Sequence, residues 1–177
     1  MRHTTASQTV GPFLHIGFDW FDNGELFASA VSGERIVISG KLYDGDGTPI
    51  SDGVIELWQA DAEGRYAADA SAGGFGRVAT STDGAFRFST IKPGRVAGPD
   101  GALQSPHIVV SIFARGLLKR LATRIYFPDE PANADDPILA LVPADRRATL
   151  IARPGGDGML EWEARIQGKD ETVFFDL

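Results

Sequence analysis

The sequence predicts a mainly β protein, an antiparallel-rich β-sandwich with an extended N-terminal arm and short helices. Three observations lead there. Short apolar runs with period-two alternation recur from Glu34 towards the C-terminus. Turn residues punctuate them, with 21 glycines and 10 prolines among 177 residues. Sustained helical period is scarce, so many short strands must share one core.

Taken in order, residues 1–33 carry no clean period and read as an arm that packs on a partner; residues 34–177 read as one domain. Gly11-Pro12 sets a bend with exposed backbone. Phe13, Leu14, Ile16, Phe18, Trp20, Phe21 and Phe27 are too much apolar surface for a disordered tail. Arg35–Tyr43 alternates as a half-buried strand. Asp44-Gly45-Asp46-Gly47 is a turn; it resembles a calcium loop but lacks the full ligand series. Gly53–Ala60 is a strand in which Glu56 and Gln59 must be edge groups or paired. Gly76–Thr82 and Ala85–Ile91 flank Asp83-Gly84 and predict a hairpin. Arg95–Gln104 reads as a loop. Ile108–Ala114 and Arg120–Phe127 are apolar strands joined by a basic turn. Residues 138–149 predict a short helix with Pro143 in its first turn. Leu150–Ala152, Met159–Ile166 and Thr172–Phe175 read as closing strands.

Composition narrows the function. The 43% hydrophobic and 23% charged content is that of a soluble globular chain with one sizeable core. A net charge of −7 argues against nucleic-acid binding, which needs clustered Lys and Arg. No cysteine is present, which removes disulfides, zinc thiolates and a cysteine nucleophile. No apolar run is long enough to span a bilayer, and the N-terminus has no signal-like apolar region, so the expected setting is cytoplasmic, without a membrane partner. Polar residues at strand ends then draw notice. His107 stands at the mouth of one apolar strand and Arg115-Gly116 at its end, where a core strand needs neither.

The run VISGKLYDGDGTPISDGVIELWQADAEGRY, followed by FGRVATSTDGAFRFSTIKPG, PHIVVSIFARG and TRIYFPDE, closely resembles the intradiol ring-cleavage dioxygenases. The resemblance runs from Ser7 to the C-terminal ETVFFDL. It implies a β-sandwich and a ferric ion held by two tyrosines and two histidines, with phenolate supplying the anionic oxygen that hard Fe(III) prefers. Carried over by position, Tyr66 of GRY and His107 match ligands, whereas Val96 and Val109 occupy the other two places. Gln104 stands where the family usually has arginine, and Arg124 where it has glutamine. The resemblance therefore implies a chain that holds no metal itself and has no catalytic residue of its own. Family members exist in which such an alpha-type chain pairs with a homologous beta chain carrying the Fe(III). In that arrangement Gly11, Pro12 and Arg115 would line the partner's pocket for a small aromatic substrate and O2. A guanidinium suits a carboxylated catechol. Two other readings compete. One is a catalytic dioxygenase with a remodelled metal site. The other is a transthyretin-like binding module, which the DGxGxPIxxGVxxLW-type run and the DGxFxF hairpin also resemble.

Overall fold

The computed structural model describes residues 4–17, 23–67, 73–98 and 100–176, without the side chains of Pro12 and His15. Phe18, Trp20 and Phe21, singled out above, lie outside the described residues. The strands are β1 (Arg35–Tyr43), β2 (Val54–Trp58), β3 (Phe75–Ala79), β4 (Ala85–Ile91), β5 (Val96–Ala97), β6 (Leu103–Gln104), β7 (His107–Phe113), β8 (Leu121–Tyr126), β9 (Arg153–Pro154), β10 (Met159–Glu161) and β11 (Ala164–Arg165). One sheet runs β3-β2-β7-β8. The other is built on β1, which pairs with β4, β10 and β11, with β9 beyond β10.

The alternation in β1 decides its inward face. Ile36, Ile38 and Leu42 are buried, and Phe86 and Phe88 of β4 join them. From the facing sheet come Ile55, Leu57, Ile108, Val110, Ile112 and Ile125, all without exposed surface. These residues form one cluster, so the two sheets close as a sandwich. Burying each such side chain contributes about 1.5–3 kcal/mol. Gln59, also buried, is satisfied: its amide donates to the Ala60 and Ile91 carbonyls at 3.0 and 2.9 Å and accepts from Thr90 Oγ1 at 2.7 Å.

Several details differ from the sequence reading, among them the 95–104 loop, which carries the short β5–β6 ladder, and residues 150–152 and 172–175, which form no strand. The Asp83-Gly84 turn forms, with the Ser81 amide donating to Ala85 at 2.9 Å, but β3 and β4 do not pair as a hairpin. β3 pairs with β2 and β4 with β1, because the chain crosses between sheets at that turn so that each strand buries its apolar face in the shared core. The expected closing strand 159–166 splits into β10 and β11, both parallel to β1, so the sandwich is not wholly antiparallel. Residues 138–149 form 3-10 turns at Leu139–Leu141 and Arg147–Leu150 in place of one helix. The extended arm contains a five-residue helix, α1 (Pro12–Ile16), which Pro12 starts with its pre-set φ. Residues 23–27 are anchored to the sandwich. Asn23 bridges Arg77, Glu25 bridges Ser89, and Leu26 and Phe27 are buried.

The 44–48 turn is held by the Asp44 carboxylate, which accepts from the Asp46 and Thr48 amides at 3.0 and 2.8 Å. That carboxylate serves the turn itself.

Candidate functional site

The outer face of the β3-β2-β7-β8 sheet carries His107, Val109 and Arg124. Directly opposed residues share a face. Phe75 opposes Trp58, Trp58 opposes Val109, and Val109 opposes Arg124, which makes one row across four strands. His107 opposes Tyr126 in the adjacent row towards the strand mouth. The short β5–β6 ladder brings Val96 opposite Gln104. Tyr66, on the loop after β2, stacks on Trp58 at 5.8 Å with planes 8° apart.

Arg124 links this end of the face. Its Nη1 donates to Gln104 Oε1 at 2.7 Å and more weakly to the Tyr126 hydroxyl at 3.4 Å. The Tyr126 hydroxyl donates to Asp136 at 3.1 Å. Asp136 is fully buried and accepts as well from the Ser105, Ile138 and Leu139 amides. His107 is 3% exposed, and its Nδ1 lies 2.8 Å from the Ser105 carbonyl. A carbonyl only accepts, so Nδ1 carries the proton and Nε2 the lone pair. Burial, and then the Arg124 charge, push the His107 pKa down to about 4. Burial raises the Tyr66 phenol and Arg124 partly opposes it.

These residues do not fit a ferric ion. Valines 96 and 109 offer no lone pair. The guanidinium beside Tyr66 and His107 is a permanent cation and would repel a trivalent one. Tyr66 and the neutral imidazole of His107 could each donate a lone pair, but two donors do not make a site. Among the described residues no group of three or more His, Asp or Glu gathers in a metal-binding arrangement.

Arg115 lies at the far end of β7. The β2–β7 register pairs Val54 with Phe113 and, continued by two residues, sets Asp52 across from Arg115. The two form an ion pair, with Nε nearest the Asp52 carboxylate. The Arg115 side chain is 68% exposed and that of Asp52 26%. The next residue, Gly116, takes φ +88°, the left-handed region that glycine enters without strain. Its amide donates to Thr9 Oγ1 at 2.7 Å and so ties the arm to this turn. Gly11 is exposed two residues on, and its carbonyl accepts from Leu14 at the start of α1. The structure thus gathers Gly11, the Pro12 backbone and Arg115 at one end of the chain. It sets them apart from Tyr66 and His107, which lie about 20–25 Å away along β7.

Sequence reasoning missed Asp52 and Asp136. Asp52 has a signal only once the β2–β7 register is known. Asp136 resembles any acidic loop residue in sequence, and its burial comes from the 3-10 turn that follows it. Trp162 is a core residue at 2% exposure, with its Nε1 donating to the Thr149 carbonyl at 3.0 Å. The register that closes β1 against β10 turns it inward.

The chain belongs to the intradiol ring-cleavage dioxygenase family. A family profile described as dioxygenase matches residues 21–158. The chain is 44% identical to the protocatechuate 3,4-dioxygenase alpha chain of Burkholderia cepacia, covering 98% of this chain and 97% of that one. It is 37% identical to the beta chain of the same organism's enzyme, covering 94% and 77%. The fold is similar to the dioxygenase domain of a dioxygenase–carbohydrate-binding protein fusion from Streptomyces sp. SirexAA-E, with TM-score 0.66 and 28% identity over 84% of this chain and 89% of that one. The family expected from the motifs is the family found.

Proposed function

We propose that this chain is the iron-free alpha subunit of a protocatechuate 3,4-dioxygenase and that it completes the active site of a homologous, Fe(III)-holding beta chain. The complex would cleave the ring between the two hydroxyl-bearing carbons and place both atoms of O2 in the product, 3-carboxy-cis,cis-muconate. One observation carries the reading: Arg124 stands beside Tyr66 and His107, where the family places a metal, and valines stand at the two other ligand positions. The exposed Gly11 and Arg115, with the Pro12 backbone beside them, support it further, since a partner could reach them. Arg115 supplies a positive charge for the substrate carboxylate. The arm supplies backbone that can wall a small aromatic pocket and exclude water. The partner's ferric ion supplies the redox chemistry, and the complex would work in the cytoplasm. Among the described residues no helix is long and apolar enough to cross a membrane.

The test measures iron and oxygen uptake with protocatechuate, for this chain alone and co-expressed with a beta-type chain. The expected result is neither alone, and both in the co-purified complex at about one iron per alpha–beta pair. Iron and turnover in the isolated chain would overturn the assignment.

A further inference from the structure

We infer that Asp52 is a positioning residue for Arg115. It holds one edge of the guanidinium so that the other edge is presented to the carboxylate of the substrate in the partner's pocket. The inference rests on the subunit reading above and goes beyond it by naming what orients the binding cation.

The geometry of Asp52 is built into the fold. The continued β2–β7 register places it across from Arg115. The buried Thr80 hydroxyl pins its turn, accepting from the Gly53 amide at 2.9 Å and donating to the Ile50 carbonyl at 2.8 Å. The carboxylate is thus carried on a rigid corner. Arg115 is the reverse case. It follows the last strand residues, precedes a glycine at positive φ, and exposes most of its side chain. A long side chain in that position samples many rotamers, and immobilising it on binding costs entropy.

An ion pair to a fixed carboxylate removes part of that freedom beforehand. The contact is made through Nε, and among the described residues Asp52 is the one carboxylate paired with Arg115. The exposed side of the guanidinium can then meet a second carboxylate, which guanidinium binds through two parallel N–H donors. An ion pair this exposed contributes little to folding stability, so its effect is expected in binding.

The experiment uses the assembled alpha–beta complex and steady-state kinetics. KM for protocatechuate is compared with the KM, or inhibition constant, of 4-methylcatechol, which lacks the carboxylate. Asp52→Asn is expected to raise the protocatechuate value about fivefold relative to the methylcatechol value. Asp52→Glu should recover part of the loss. Asp52→Asn added to Arg115→Ala should change nothing further, because the group it positions is gone. An unchanged ratio, a parallel change for both ligands, or an added loss in the Arg115→Ala background would each overturn the inference. If Arg115→Ala itself leaves the protocatechuate KM unaltered, Arg115 does not bind substrate and the inference falls with that role. If Arg115→Ala weakens binding and Asp52→Asn does not, only the role of Asp52 is refuted.

Discussion

At the scale of single residues, His107 shows how a buried imidazole is held neutral at a strand end. Its Nδ1–H bonds the Ser105 carbonyl, its ring lies 6.0 Å from that of Tyr126, and it is almost fully buried. Burial and the Arg124 charge hold its pKa near 4, against an ordinary 6.5. The unfolded chain takes up a proton in this window that the folded chain refuses. Stability should therefore be full above pH 6.5 and fall as pH drops towards 4. The loss attributable to this group at pH 5 is about 2 kcal/mol. Urea denaturation at pH 7 and pH 5 checks it: His107→Phe should show a smaller loss between the two pH values than the unaltered chain. An equal loss would show that acid sensitivity comes from other groups. The lack of a donor at positions 96 and 109 was legible residue by residue, because valine has no lone pair and that needs no coordinates. The nearness of Arg124 to Tyr66 and His107 was not, because it depends on three strands and a loop meeting.

At the scale of elements, β1 is the strand around which one sheet is built. It pairs antiparallel with β4 from Arg35 to Lys41 and parallel with β10 and β11 on its other side. The step between β10 and β11 is set by Trp162, whose amide donates to the Ser39 carbonyl at 2.9 Å. Gly40 is the residue that allows it, since a Cβ there would overlap the Trp162 carbonyl oxygen and press on the Phe86 ring. Gly40→Ala is expected to cost about 1–3 kcal/mol in a urea titration. A neutral effect would mean that the β10–β11 step yields easily. The run RIVISGKLY was readable as a strand from its alternation. The crossing at Asp83-Gly84 was not, because a tight Asp-Gly turn between apolar runs is the same local signal whether its strands pair or part.

At the scale of the molecule, the described surface holds apolar groups at the arm end that the fold does not cover. Phe13 and Ile16 on α1 are 82% and 66% exposed, and Leu118 in the β7–β8 turn is 62% exposed. The Thr9–Gly116 hydrogen bond holds arm and turn together. Large exposed apolar groups gathered at one end suit an interface with another chain. Phe13→Ser combined with Ile16→Ser should reduce co-purification with a beta-type chain. The change in the isolated chain's own stability should stay within about 0.5 kcal/mol, as for exposed positions. Undiminished co-purification would move the interface away from the arm.

The order of residues by itself determined the family, the sandwich class and most strand positions. Those properties are local: alternation, turn chemistry and the identity of the residue at a motif position are carried within a few residues of chain. Tertiary structure alone decided that β3 and β4 part to different sheets, that β10 and β11 run parallel to β1, and that Trp162 faces inward. It also decided that Arg124 lies beside Tyr66 and His107 and that Asp52 meets Arg115. Each of these depends on which distant strands pair and in what register, and that choice is made by the burial of one shared core.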